Sequence, residues 1–276
     1  MNWLNVSPVA DPIKIARIVQ TGAMVVVDHT QEAAWYAEAA KAAGRTVDVL
    51  IDLDVGDHRT GARPGEHALS VARAVDQAPN LRLLGIQAYS VRGSHAVAGA
   101  ERQRVADEVF GMAVETRDAM TRAGLCAEIL SGGSTGSADV DLKLKDLTEL
   151  QAGSYVMMDL AYRRLGVEFA NAMIVLTTVV SANHDGWVTV DGGFKAFSTD
   201  RGYGPEALDL PGSVYRWGGD EFGYVDVDGC KRKPRLGERI EFLPPHCDPT
   251  ANLYDRIYAC RGEDVEDIWP VMDRMR

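Results

Sequence analysis

Up to about residue 165 the chain alternates short apolar runs with longer, Ala-rich and charged segments, and this alternation limits the fold more than any other feature. The runs cover residues 3–6, 24–28, 47–54, 81–89, 126–131 and 154–159. Between them, residues 31–43, 65–76 and 100–123 carry alanines and charges at helical spacing. Strand–helix alternation predicts parallel βαβ units. Strands that are apolar almost throughout predict a sheet covered on both faces.

After about residue 170 the texture changes. Residues 173–181, 187–191, 214–217, 223–227 and 239–242 read as strands separated by Gly, Asp and Pro turns. The expected organisation is a partial (β/α) barrel over residues 1–165 and a β-rich domain over residues 166–276. An open doubly wound sheet accepts six βα units, whereas a (β/α)8 barrel needs eight, usually in about 250 residues. Polar residues gather where successive strands end: Asp28-His29, Asp52 to Arg59, Gln87 to Tyr89, Ser131 to Ser137, and Asp159. An open sheet concentrates its chemistry at one switch point. Polar groups at five consecutive strand ends favour a barrel, with two units missing.

Three segments carry candidate chemistry. Ser131-Gly132-Gly133-Ser134-Thr135-Gly136-Ser137 follows a strand. Glycines let backbone N–H groups approach an anion and hydroxyls add donors, so the segment reads as a phosphate cradle or as a plain surface turn. It is neither a Walker loop nor GxGxxG. Asp52 and Asp54, two apart in an apolar strand, share a face and need partners; Arg59 is the local candidate, in a rim salt bridge if not in a site. His58 reads as a solvated or structural side chain. In Pro244-Pro245-His246-Cys247-Asp248-Pro249, extended backbone would bring His246 and Asp248 to one face and turn Cys247 away. Imidazole with carboxylate suits Mn²⁺, Mg²⁺, Co²⁺ or Zn²⁺, with water or substrate filling an open site. A hydrogen-bonded His–Asp pair in a proline-rich loop is the alternative.

Composition narrows the partners. A net charge of −11 argues against nucleic acid and anionic membrane surfaces. No apolar run approaches the roughly 18 residues of a membrane span, and residues 1–10 do not resemble a signal peptide. The four cysteines, at 126, 230, 247 and 260, form no CxxC, which fits a cytoplasmic setting.

Six segments in order carry a family resemblance: Asp54-Val55-Gly56-x-x-Arg59-x-Gly61, Gly85-Ile86-Gln87-Ala88-Tyr89, Ser131 to Gly136, Glu149 to Tyr155, Lys195 to Asp200, and Pro245 to Thr250. Together they resemble the D-threonine aldolase, D-3-hydroxyaspartate aldolase and D-serine dehydratase group of alanine-racemase-like, fold-type III pyridoxal 5′-phosphate (PLP) enzymes. The resemblance implies a PLP barrel followed by a C-terminal β domain, assembled as a homodimer when complete. Gly132, Gly133, Thr135 and Gly136 would then hold the PLP phosphate with Tyr155 nearby, and Arg59 and Tyr89 would line the cofactor. His246 and Asp248 would bind a divalent metal (Mn, Mg or Zn) that touches the β-hydroxyl of a D-amino acid substrate. Aldolases of this group look like His-x-Asp and dehydratases like His-x-Cys, so Asp248 favours retro-aldol cleavage to glycine plus an aldehyde. Dehydration and a non-catalytic PLP-binding role stand as alternatives. His95, in the loop after Tyr89, is the candidate base, and a solvated loop histidine is the competing reading. Arg92 or Arg102 could meet a second substrate carboxylate.

The sequence departs from the group in one respect. The family's Schiff-base lysine lies on its first barrel strand, and none of Lys14, Lys41, Lys143, Lys145, Lys195, Lys231 or Lys233 matches it. The run at residues 3–6 would match the family's third strand. The expectation is a chain truncated at its N-terminus, with Met1 an internal methionine, exposed sheet edges and poor solubility. It would have no normal covalent link to PLP and no turnover on its own. Phe222, where related enzymes often have His, is a smaller departure without an assigned role.

Overall fold

The computed structural model describes residues 4–272. The chain divides into two compact units, Met1–Gly153 and Ser154–Arg276.

The first unit runs β1 (Leu4–Asn5), α1 (Pro12–Thr21), β2 (Met24–Val27), α2 (Thr30–Ala43), β3 (Val47–Asp52), α3 (Glu66–Gln77), β4 (Leu81–Ala88), α4 (Val91–Ser94), α5 (Ala100–Arg122), β5 (Ile129–Gly132), α6 (Ala138–Asp141) and β6 (Glu149–Leu150). Its six strands pair in parallel in the order β1-β2-β3-β4-β5-β6. Local chemistry sets the helix ends. Asp11 accepts hydrogen bonds from the Ile13 and Lys14 N–H groups, Pro12 opens α1, and Gly22 ends it in the left-handed region. His29 Nδ1 accepts from Gln31 N at the start of α2.

The period-2 alternation of side chains explains the unbroken apolar strands. Val25, Val27, Val49 and Ile51 pack into the large core with residues of the helices, including Tyr36, Ala40, Val71 and Val75. Their neighbours Met24, Val26 and Leu50 form a separate cluster with Leu4, Leu84 and Ile129. That second cluster fills the concave side, so the expected curled sheet is borne out. One hydrogen bond measures the curl: Gln87 Nε2, at the end of β4, donates to the Val6 carbonyl just beyond β1 at 3.0 Å. Three strand spacings of a flat sheet would separate these strands by about 14 Å, far beyond a glutamine's reach. Among the described residues β1 and β6 are the two edges of this sheet.

The second unit begins with a 3-10 turn at Ser154–Val156 and continues as α7 (Leu160–Arg164), β7 (Val175–Ser181), β8 (Trp187–Val190), β9 (Glu206–Ala207), β10 (Val214–Trp217), β11 (Gly223–Asp226), β12 (Arg239–Leu243), α8 (Cys247–Ala251), β13 (Arg256–Arg261) and β14 (Asp264–Pro270). Strands β7 to β12 form an antiparallel sheet in the order β10-β11-β8-β7-β12-β9. Its core gathers Val188, Val190, Val225, Ile240, Phe197 and Phe242. Strands β13 and β14 form a separate hairpin.

One expectation needs correction, one element was not foreseen and one run is only partly described. Residues 154–159 are not a strand: Met157 and Met158 N donate back to the Ser154 carbonyl, and the Asp159 carboxylate caps α7 by accepting from Tyr162 N at 2.9 Å. The sixth parallel strand is Glu149–Leu150, just before. The hairpin β13–β14 was not expected. The run at residues 3–6 begins outside the described residues; within them the strand is Leu4–Asn5.

Candidate active site

The C-terminal strand ends of the first unit are joined by a belt of buried polar side chains. Asp52, 4% exposed, accepts from Gln87 Nε2 and Thr60 Oγ1, both at 2.8 Å. Burial holds its pKa above the usual carboxylate range, only partly offset by those two donors. Gln151 Nε2 donates to Gln87 Oε1 and Ser131 Oγ, each at 3.0 Å. Asp28 Oδ2 accepts from Gly61 N at 2.7 Å. Gly61 has φ +107, and a side chain there would overlap the Asp54 backbone.

Among the described residues no ion pair joins Arg59 to the strand acids, although its charge draws on Asp52. Asp54 is held by His58, through its N–H at 3.0 Å and ring Nδ1 at 2.8 Å, and by Gly56 N. The Arg59 guanidinium instead lies over the Tyr89 ring, 4.9 Å from its centroid. Asp57, unremarked in the sequence, accepts from Ser90 Oγ at 3.1 Å and from Val91 N, fastening the loop after β3 to α4. His95 closes α4, and its Nδ1 lies 3.1 Å from the Val91 carbonyl. A carbonyl only accepts, so Nδ1 carries the proton of the neutral ring and Nε2 is the basic nitrogen. Both arginines suggested for a second substrate carboxylate have acidic partners within the chain. Arg92 pairs with Glu108 at 2.8 Å, and Arg102, 2% exposed, bonds the Ala96 carbonyl at 3.2 Å and Asp139 at 2.9 Å.

The glycine-rich loop holds the carboxyl of Asp141. Ser134 Oγ accepts from the N–H groups of Gly136 (3.1 Å) and Ser137 (3.3 Å) and lies 2.8 Å from Ser137 Oγ. Ser134 N and Ser137 Oγ in turn donate to one oxygen of buried Asp141, at 3.2 and 2.5 Å. Gly133 has φ +68, and a Cβ there would come within 2.5 Å of that oxygen and 2.6 Å of Leu150 Cδ1. The loop thus gathers donors round a carboxylate oxygen in a space only glycine leaves open. That donor set fits a phosphate. The covalent anchor has no counterpart: among the described residues no lysine stands at the C-terminal end of β1 to β6.

The second unit holds the His-x-Asp motif. His246 is extended (φ −148, ψ 123), but the next residues form α8 rather than continuing extended. The pair still converges, with His246 Nε2 3.6 Å from Asp248 Oδ2, because Asp248 lies in the first turn of that helix. Cys247 does not turn wholly away; its buried Sγ lies 3.3 Å from Asp248 Oδ1, and burial pushes its thiol pKa well up. Asp200 Oδ2 lies 2.7 Å from His246 Nδ1, a better partner than the Arg201 donor at 3.4 Å, and Nε2 is the ring nitrogen that faces Asp248. Burial pulls the His246 pKa down, but its bonds to Asp248 and Asp200 outweigh this and hold it above the ordinary imidazole value. Ser154 Oγ lies 3.4 Å from both Asp248 oxygens, and Asp159, fully buried, accepts from Cys247 N at 2.8 Å. Tyr155, beside Ser154, is exposed and tilts against Phe169 with ring centroids 5.6 Å apart. Among the described residues no three His, Cys, Asp or Glu side chains cluster as a complete metal site. The pair fits a metal as two ligands of an open one.

Comparison with known proteins places this geometry in a family. Residues 2–161 match the alanine racemase N-terminal domain and residues 172–260 the serine dehydratase domain. The chain is 34% identical to 3-hydroxy-D-aspartate aldolase of Paracoccus denitrificans (strain Pd 1222), over 96% of this chain and 72% of that protein. The crystal structure of D-threonine aldolase from Filomicrobium marinum superposes with a TM-score of 0.94 at 35% identity, covering all of this chain and 76% of that one. The chain belongs to the family of alanine-racemase-like D-threonine and 3-hydroxy-D-aspartate aldolases. This is a family of PLP-dependent lyases, and the resemblance read from six sequence segments is borne out. The family also holds D-threo-3-hydroxyaspartate dehydratase from Delftia sp. HT23, which superposes with a TM-score of 0.86 at 27% identity over 97% of this chain and 78% of that one. A variant of such a dehydratase has been solved in a metal-free form.

Proposed function

We propose that this aldolase-family chain serves the PLP- and divalent-metal-dependent retro-aldol cleavage of D-3-hydroxy amino acids, such as D-threonine or D-3-hydroxyaspartate, to glycine and an aldehyde. The observation that carries the reading is the convergence of His246 Nε2 on a carboxylate, Asp248, 3.6 Å away, in a chain whose relatives are aldolases of these substrates. PLP, when bound, supplies an electron sink for the carbanion left at Cα. Gly132, Gly133, Thr135 and Gly136 hold its phosphate, Arg59 and Tyr89 line its ring, and Tyr155 contributes nearby. His246 and Asp248 would hold a divalent cation (Mn, Mg or Zn), which would supply Lewis acidity at the substrate β-hydroxyl. His95 Nε2 takes the hydroxyl proton. The metal-free form of the dehydratase relative supports a metal in the family's chemistry. Four free cysteines support a reducing, cytoplasmic setting, and no helix among the described residues is long and apolar enough to cross a membrane. The expected assembly is a homodimer.

The match to the serine dehydratase domain favours a second reading, loss of the β-hydroxyl as water. Product analysis separates the two. The longest reading frame encoding this chain, given D-threonine with PLP and Mn²⁺, is expected to yield glycine and acetaldehyde. Ammonia and a 2-oxo acid would establish the dehydratase reading instead, and neither product would sink both. Residues 1–276 alone, without a strand-borne lysine, are expected not to turn over.

A further inference from the structure

The glycine loop is already answered by an anion of the chain itself. Asp141 is 1% exposed, and its Oδ2 accepts from the Ser134 N–H and the Ser137 hydroxyl. The same oxygen fills the space that Gly133 leaves open. We propose that Asp141 competes with a phosphate monoester for this loop, so that its carboxylate must take up a proton as the phosphate enters. This rests on the phosphate reading of the loop given above and adds a linkage to pH.

Two anions sharing one set of donors in a buried site cannot both stay ionised, and the weaker acid takes the proton. Burial first, and Asp139 to a lesser degree, raise the Asp141 pKa to about 6, against the bonds from Ser137 and Ser134. The charged groups facing it are Asp139 on its own helix and Arg102 on α5. These two form a 2.9 Å ion pair, and the Arg102 charge draws the Asp141 pKa down less than burial raises it. The other side chains round the small cavity here are the apolar Ala88, Ala106, Val109 and Phe110 and the uncharged hydroxyl of Ser90. Once protonated, Asp141 can stay in place as a donor, which turns a repulsive neighbour into a supporting one.

The test uses 4-deoxypyridoxine 5′-phosphate, which lacks the aldehyde and needs no lysine. Its binding to the chain is measured by calorimetry at pH 6 and pH 8, in two buffers of different ionisation enthalpy. If only the protonated form binds, the competent fraction falls from about one half to about one hundredth between these pH values, so the apparent Kd is expected to rise at least about twentyfold. The phosphate's own second ionisation, near 6, pushes weakly the other way. Uptake of about one proton per ligand at pH 8 is expected, and the unmodified chain reports it without any variant. In Asp141→Asn, checked for folding by circular dichroism, the loss of affinity with rising pH and the proton uptake at pH 8 are both expected to vanish, leaving only the phosphate's own weak opposite trend. Binding that is independent of pH, or equally dependent in both proteins, overturns the proposal and leaves the phosphate reading standing. Absence of binding at both pH values in both proteins overturns the two together.

Discussion

In the first unit the polar groups hang from the ends of parallel strands, where the ladder already fixes their spacing. In the second unit they sit on loops and on the first turn of a five-residue helix, where side chains must hold them. Asp52, Gln87 and Ser131 are each placed by a strand paired on both sides and are then cross-linked to one another. His246 and Asp248 have no ladder beneath them; Asp159 from below α7 and Asp200 from a turn orient them. The comparison teaches that the parallel unit stores its order in the backbone, while the antiparallel unit stores it in a few carboxylates. Single substitutions should therefore damage the second centre's ligand binding sharply and the first centre's stability more gradually.

The largest expected effect tests the second centre. His246→Ala or Asp248→Ala is expected to weaken Mn²⁺ binding by about a thousandfold, on the order of 4 kcal/mol, since each removes one of two protein ligands. Asp200→Ala, which only releases the His246 ring, should weaken it by about 10- to 100-fold. Electron paramagnetic resonance of Mn²⁺ titrations reads both. Equal losses at all three positions would break the distinction between ligand and orienting carboxylate.

Next comes the pH dependence of the first unit. Burial holds the Asp141 carboxyl at a pKa of about 6 in the folded state, against an ordinary aspartate value of 3.8. Between these values the folded state keeps a proton that the unfolded state has lost, so stability falls as pH rises through that window. The loss is bounded at about 3 kcal/mol, and urea denaturation from pH 4 to pH 7 should show it shrink in Asp141→Asn. Then comes the belt. Gln87→Leu leaves Asp52 with one side-chain donor fewer in a buried site and should cost about 2 kcal/mol. The smallest effect belongs to Arg59→Ala, whose exposed cation–π contact with Tyr89 is worth about 1 kcal/mol or less. If it instead lowers PLP affinity strongly, with stability unchanged, the comparison sharpens in favour of a cofactor-lining role.

Much of the first unit was legible because its strands are apolar on both faces and end in polar residues, so runs such as 81–89 declare the strand Leu81–Ala88 almost residue for residue. The sixth strand was not legible. Glu149–Leu150 is two residues long and half polar, while the longer apolar run after it folds back on Ser154 as a turn. The hairpin β13–β14 escaped because all of β14 and most of β13 are exposed, so no buried face imposes an alternation. In the candidate site, the glycine loop and the His-x-Asp spacing show in a local window. The partners that complete them do not. Asp57 reaches Val91 across 34 positions and Asp200 reaches His246 across 46, and no local pattern encodes such pairs. The extended geometry expected for residues 246–248 failed after one residue, yet the pair converged because a helix's first turn also brings close neighbours together.

The bond from Gln87 to the Val6 carbonyl joins positions 81 apart in the chain. Closing a loop of that length costs entropy that nearest-neighbour strand pairs do not, so curvature comes late in folding, after β2, β3 and β4 have found one another. Gln87 then behaves as a drawstring pulled tight on an already assembled sheet. A chevron for Gln87→Leu should show an unchanged folding limb and faster unfolding. The hollow in which the strand-end residues face one another is the last part of this unit to take shape and the first to open.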